Sequence, residues 1–262
     1  LTATFCGAAL ATCGLLLQTA FRNPLAGPSI LGIDSGASLG VAVAMMLFGG
    51  SLAMGGLSLG GYMLTIMAAL AGAMAIMVLL SALNALLRST VMLLITGVII
   101  SYITGSLISL LQFWASHDGL QAYVLWGMGN FSSVSTERLP FFIGLVSLGL
   151  VMALLMMKPL DALLLGDRYA QNLGVNTTRT RHMLLLATGL LSAITTAFCG
   201  PISFIGLATP HMARFLSPSG SHRALLPRTM ALGASIALAC NLLCNLPESS
   251  VLPINVLTPL IG

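Results

Sequence analysis

The chain has 262 residues, of which 57% are hydrophobic and 6% charged, with a net charge of +4 and a mean hydropathy of +1.02. A soluble domain carries about a quarter charged residues, so a surface this poor in charge excludes a water-soluble protein and requires lipid as the solvent. The few scattered positive charges exclude a nucleic-acid-binding surface, and the five cysteines lie in apolar runs with no histidine or carboxylate beside them to complete a metal site.

A helix crosses a bilayer with about 20 apolar residues. Nine segments are predicted, at residues 1–21, 29–49, 57–83, 91–115, 139–157, 183–199, 201–216, 224–244 and 251–262. The chain opens inside an apolar run with no basic leader, and it stops inside another, which predicts a fragment lacking its first helix and the end of its last. In the second segment Gly32, Gly36 and Gly40 recur every fourth residue, a spacing that lets helices approach closely in lipid. Asp34 in the same segment is a charge near a membrane span, a rare and often functional feature. Its place in the first turns of the helix predicts a position near the cytoplasmic interface.

The fourth segment carries Ser101, Tyr102, Thr104, Ser106 and Ser109, hydroxyls suited to a mildly polar pathway, although such groups also bond their own helix backbone. The sixth and seventh segments are short and separated by Cys199-Gly200-Pro201. No linker divides the chain, so residues 1–262 read as one transmembrane domain.

Basic residues of short loops stay on the cytoplasmic side. With the first segment running inward, Arg22, Arg88, Lys158, Arg168, Arg179, Arg181, Arg214, Arg223 and Arg228 all fall at cytoplasmic ends, and only Arg138 falls outside. This phasing supports an odd number of segments and predicts ten helices in the whole protein. Gly27-Pro28-Ser29-Ile30-Leu31-Gly32 also echoes Gly200-Pro201-Ile202-Ser203-Phe204-Ile205-Gly206. The first opens an outward helix and the second an inward one, the pattern of an inverted repeat. Proline and glycine free backbone groups that lipid cannot satisfy, so both breaks should face protein or water.

Residues 158–182 form the longest polar connector, on the cytoplasmic side. Within it, Asp167 to Leu173 can form a short helix, with Asp167 favourable in the first turn and Gly174 as its stop. Such a helix could be pushed as a rigid lever by another protein.

The string Arg22-Asn23-Pro24-Leu25-Ala26-Gly27-Pro28, followed by Leu31-Gly32-Ile33 and Ser35-Gly36-Ala37, resembles the FecCD/BtuC-like permeases of type II ABC importers. So do Leu165-Gly166-Asp167 with Ala170 and Leu173-Gly174-Val175, Phe204-Ile205-Gly206-Leu207 with Pro210-His211 and Arg214, His222-Arg223 with Leu226-Pro227, and Leu252-Pro253-Ile254. These imports concern iron-siderophores, haem and cobalamin. The resemblance implies an all-α polytopic fold with ten transmembrane helices and an inverted repeat. It implies a homodimer with the pathway between two copies, cytoplasmic ATPase subunits that carry ATP and Mg²⁺, and an extracytoplasmic substrate-binding protein. The permease itself would bind no cofactor and catalyse no hydrolysis. Gly166, Asp167, Arg168, Ala170, Leu173, Gly174 and Val175 would form the ATPase coupling loop. Asn23 and Pro24 join the hydroxyls of segment 91–115 as pathway candidates, and the loop after that segment, up to about Gly129, would help gate the outer side.

The chain departs from the family in lacking the basic string that precedes its first helix, whose arginines meet acidic residues of the binding protein. Arg138 is the candidate substitute. The expected place is the bacterial inner membrane and the expected cargo an iron-siderophore or similar metal chelate. A secondary transporter would require further intramembrane carboxylates beyond Asp34, and an intramembrane enzyme would have only Asp34 and His211 to work with.

Overall fold

The computed structural model describes residues 1–47, 52–54, 57–59, 61–86, 90–216, 220–246 and 252–261. Arg88 lies outside them. In chain order the helices are α1 (Thr2–Phe21), α2 (Ile33–Ala42), α3 (Gly61–Leu86), α4 (Thr90–Trp114), α5 (His117–Gly127), α6 (Leu139–Leu155), α7 (Met157–Leu164), α8 (Asp167–Asn172), α9 (Thr177–Cys199), α10 (Ile205–Phe215), α11 (His222–Cys244) and α12 (Ile254–Ile261). A small hairpin, β1 (Leu52–Met54) and β2 (Leu57–Leu59), pairs antiparallel with Ala53 opposite Ser58.

Five of the described helices, α1, α3, α4, α9 and α11, are long and apolar enough to cross a bilayer alone. Helix α6 bends by 50° into α7, which carries Lys158 and Asp161 and so leaves the apolar layer. Helices α1 and α9 form the centre, each 78% buried over its most apolar window, whereas α4 is only 22% buried and lies at the periphery. The core is continuous and dominated by small and aliphatic side chains, with Leu15, Leu16, Leu191 and Phe142 fully buried among them.

Several predicted segments change shape. Segment 29–49 begins not as an α-helix but as a 3₁₀ turn at Pro28–Leu31, and its regular part is confined to Ile33–Leu47. Segment 57–83 starts in β2, and α3 begins only at Gly61. The connector before Arg138 contains α5, capped by the Ser116 hydroxyl, which accepts the Gly119 amide. Segment 183–199 begins at Thr177, because the Asn176 side chain accepts the Arg179 amide and caps the helix there. Segment 201–216 keeps only the 11 residues of α10, about 16 Å at 1.5 Å per residue and so half a bilayer.

The glycine spacing acts as expected at two of its three positions. A Cβ at Gly36 would lie 2.7 Å from the Gly72 carbonyl, and one at Gly40 would lie 2.0 Å from the Ala68 carbonyl, so α2 and α3 touch backbone to backbone. Gly32 is instead the cap between the 3₁₀ turn and α2, at φ 77°. The closest approach is one the spacing did not single out: a Cβ on Gly14 would lie 1.6 Å from the Gly206 carbonyl, which sets α1 directly against α10.

Candidate functional site

The two Gly-Pro strings meet. They line one cavity of about 240 Å³, with Ser29, Ile30 and Asp34 on one side and Ile202, Ser203 and Phe204 on the other. Helices α2 and α10 both begin beside this cavity, each just after a break and each too short to span a bilayer, as expected for an inverted repeat built on half-length helices. Gly200 makes the second break possible: it sits at φ 78°, and a Cβ there would lie 2.5 Å from the Trp126 carbonyl. Phe204 also adopts a left-handed φ of 69° where α10 begins.

Breaks of this kind need partners for their freed backbone groups. Asn255, at the start of α12, supplies them. Its Nδ2 donates to the carbonyls of Pro201 at 2.6 Å and Gly127 at 3.0 Å, and its Oδ1 accepts the Ser203 amide at 3.1 Å. The sequence offered one signal for it, a carboxamide in an otherwise apolar final segment.

Asp34 is not at the cytoplasmic interface. Its carboxylate accepts hydrogen bonds from Thr196 at 3.0 Å and from Ser192, both on α9. These residues lie 10 and 14 positions beyond His182, so roughly 15 and 21 Å into a layer about 30 Å thick. Asp34 is a mid-membrane carboxylate held by two hydroxyls in the first turn of α2, where a negative charge is favoured by the helix dipole.

The five pathway candidates on α4 fall on two faces. Tyr102, Ser106 and Ser109 are exposed, whereas Thr104 is buried and Ser101 half-buried. Ser101, Thr104, Ser106 and Ser109 each donate to the carbonyl four residues back, at 2.9–3.0 Å, so none is left unpaired. Asn23 is turned to its own loop, with Oδ1 accepting the Leu25 amide at 2.9 Å, and Pro24 is exposed beside it.

The polar connector is a compact structure. Helix α8 packs Ala170 fully inside against Ala162 and Leu163 of α7, with Val175 closing the cluster. Gly166 at φ 115° begins α8, and Gly174 at φ 80° lets the chain turn back so that the Val175 amide reaches the Ala170 carbonyl at 3.0 Å. Asp167 pairs with Arg181 at 2.5 Å and stands 3.8 Å from Arg22, which fixes α8 to α9 and to the end of α1. Of the expected coupling residues, Arg168, Leu173 and Gly174 face outward, Asp167, Gly166 and Val175 are half-buried, and Ala170 seats the helix. Leu165, Tyr169 and Leu173 are exposed apolar side chains, at 63%, 54% and 58% exposure, with the last two four apart along α8 and its end and Leu165 on the far side of the Gly166 break.

A polar clamp lies behind this element. Asp161 Oδ1 accepts both the His222 amide at 2.7 Å and the His222 ring at Nδ1 at 2.6 Å, and Asp161 Oδ2 accepts the Ser221 hydroxyl at 2.8 Å. A carboxylate only accepts, so Nδ1 carries the proton and Nε2 accepts from the Thr19 hydroxyl at 2.8 Å. Next to Thr19, Gln18 accepts from Arg214 at 2.6 Å and donates to the Leu207 carbonyl at 3.1 Å. On the opposite end of the molecule, the Arg138 guanidinium lies 4.7 Å over the Tyr62 ring, and Tyr62 donates to the Phe198 carbonyl.

These features define a multi-pass membrane protein with two helix breaks meeting in the bilayer and a compact polar connector outside it. All 262 residues match the FecCD transport family, and the chain belongs to that family. It is 38% identical to the Fe(3+) dicitrate transport system permease protein FecD of Escherichia coli, over 100% of this chain and 79% of that one. It is 36% identical to the vitamin B12 import system permease protein BtuC of Klebsiella pneumoniae, over 98% and 75%, and 35% identical to the molybdate import system permease protein MolB of Haemophilus influenzae, over 100% and 75%. Among solved structures, a metal-chelate type ABC transporter in an inward-facing conformation superposes with a TM-score of 0.89 at 32% identity, covering 100% of this chain and 80% of that one. The fold is that of a type II ABC importer permease.

Proposed function

We propose that this chain is the permease subunit of an ATP-driven importer in a bacterial inner membrane, working as a homodimer by alternating access. The observation that carries this reading is the exposed apolar pair Tyr169 and Leu173, with Leu165 nearby in sequence, on a lever tied by ion pairs and a hydrogen bond to two membrane helices, α1 and α9. An apolar face outside the membrane suits a groove on a partner, here the cytoplasmic ATPase subunits, which bind ATP and Mg²⁺. The permease contributes no catalytic residue to hydrolysis. ATP binding closes the ATPases, the levers move with them, and the two copies rock about the path between them. The exposed hydroxyl face of Tyr102, Ser106 and Ser109 on the peripheral helix α4 is the wall we assign to that path. An extracytoplasmic binding protein delivers the cargo.

The cargo we assign is a bulky metal chelate, an iron-siderophore first. The FecD relative, named for ferric dicitrate, and the metal-chelate transporter structure support that class. The test is uptake into proteoliposomes holding the full-length permease with its ATPase and binding protein. Ferric siderophore should enter only with ATP and should not be displaced by excess haem or cobalamin. Uptake of haem, cobalamin or molybdate in its place would overturn the cargo, and ATP-independent, ion-driven uptake would overturn the importer.

A further inference from the structure

The last turn of α1 and its cap bond three neighbouring helices, α7, α10 and α11. Arg22, which caps α1, donates from Nη2 to the Leu163 carbonyl of α7 at 2.9 Å. Thr19 reaches α7 a second time through His222 and Asp161, over contacts of 2.8 and 2.6 Å. Gln18 faces the other way and holds the Leu207 carbonyl of α10, a wall of the cavity between the two breaks, while also accepting from Arg214. Gln18, Thr19 and His222 are each at most 3% exposed, so the Thr19–His222 bond is sheltered from water, whereas Arg22 and Asp161 at the lever end keep partly exposed side chains.

Resting on the importer reading above, we propose that Gln18, Thr19 and Arg22 form a transmission node: displacement of the coupling lever passes through Asp161–His222–Thr19 and Leu163–Arg22 into the end of α1, and from Gln18 into Leu207 and the half-helix α10. Packing is what makes the node stiff. Helix α1 is central and buried, and at Gly14 and Gly206 its backbone meets α10 with no side chain between them, so the two move together. The lever is stiff for its own reason, with Ala170 buried against α7. His222 works as a positioning residue. Asp161 fixes its tautomer, and only the Nδ1-protonated form offers Nε2 to the Thr19 hydroxyl.

The proposal separates lever motion from cavity motion, so it is tested on the cavity. Ser203→Cys places a reporter thiol on the exposed part of the cavity wall, and the five native cysteines are buried. In the full transporter with its ATPase and binding protein, the labelling rate of this thiol is compared without nucleotide and after trapping with ATP, Mg²⁺ and vanadate. The unaltered node should give a change of about tenfold, as expected for a shift between two states. Thr19→Val, Asp161→Asn and Gln18→Leu should each reduce that change to about twofold or less, while ATP hydrolysis by the bound ATPase persists. Thr19→Ser should restore it. Because Thr19 and Asp161 act in one chain, their double variant should be no worse than either alone. A full labelling response in Thr19→Val and Gln18→Leu, or additive losses in the double variant, would overturn the node. If the parent protein shows no nucleotide response at all, the importer reading fails instead.

Discussion

Asp34 on α2 accepts a hydrogen bond from Thr196 on α9 across 3.0 Å, between residues 162 positions apart in sequence. Ser192, one turn earlier on α9, donates to the same carboxylate oxygen. The pair fastens the outward half-helix to the helix that leads into the second break, so the carboxylate staples the two repeats together beside the cavity they share. Asp34→Leu removes the acceptor while leaving both hydroxyls inside the protein. That substitution should cost about 1–3 kcal/mol, the usual penalty for stranding buried polar groups. Asp34→Asn keeps an acceptor oxygen and should cost less. Thermal unfolding of the purified full-length permease in detergent, compared for the two variants, measures the difference, and equal losses would remove the staple.

Contact between α1 and α10 rests on the absence of side chains. Gly14→Ala would place its Cβ 1.6 Å from the Gly206 carbonyl, and neither backbone can step aside without moving a central helix. Overpacking of this kind costs about 1–3 kcal/mol. Gly105 on the peripheral α4 is the control, since a Cβ there meets nothing within 4 Å. Gly105→Ala should leave the unfolding temperature nearly unchanged while Gly14→Ala lowers it by several degrees.

What the sequence made legible was whatever depends on solvent. Apolar run length located α1, α4 and α11 to within a few residues, and charge phasing gathered Arg22, Arg181 and Arg214 at one end, where Arg22 and Arg181 meet at Asp167 and Arg214 bonds Gln18. The Gly-Pro echo announced two breaks. It did not announce that the breaks face one another, because that depends on Gly14 meeting Gly206 and on Asn255 satisfying Pro201 and Ser203, all contacts between residues dozens or hundreds of positions apart. Hydropathy cannot distinguish a half-bilayer helix from a full one when Pro201 to Phe204 is as apolar as the helix it precedes, so α10 was read too long. Asp34 was placed too near the interface for the same reason: depth was counted from the start of the segment, whereas the chain first climbs through a non-helical stretch.

The exposed face of the lever gives a sharp contrast between adjacent residues. Tyr169→Glu and Leu173→Glu put charge on an already exposed face and should leave the permease folded. They should weaken ATPase binding by at least about tenfold, the loss of roughly 1.4 kcal/mol. Ala170→Glu buries the same charge against Ala162 and Leu163 and should dislodge α8 as a whole, so that uptake and thermal stability fall together. Gly174→Val should behave like Ala170→Glu, since it requires a β-branched residue at φ 80°. Co-purification of the ATPase with each variant, alongside its melting curve, sorts the two classes. If Tyr169→Glu retains full ATPase binding, this is not the docking face.

Arg138 bears on the opposite side. Its guanidinium is partly engaged over the Tyr62 ring, both side chains being half-buried. The remaining charge is free to meet an acidic group of the binding protein. Arg138→Glu should weaken that docking most at low salt, and the difference should shrink as ionic strength rises. A titration of the binding protein onto reconstituted permease at two salt concentrations reads both effects. Unchanged affinity at low salt would place the docking charge elsewhere.

Asp161 predicts how the clamp responds to acid. Burial alone would raise its pKa, but the His222 amide, the His222 ring and the Ser221 hydroxyl all donate to the carboxylate and hold it below the ordinary carboxylate value. A group whose folded pKa is depressed contributes stability that is fully present above its unfolded pKa, about 3.9 for an aspartate, and loses it as pH falls through the folded value. The clamp is therefore intact at neutral pH and fails only below about pH 4. Protonated Asp161 can no longer accept all three donors, so α7 should detach from α11 before the apolar core opens. Asp161→Asn removes the titrating group. Its unfolding temperature should be lower than that of the parent at pH 7, and the difference should shrink as the pH falls below about 4 and through the folded value. Parallel curves across that range would show that the carboxylate is not what holds α7 to His222.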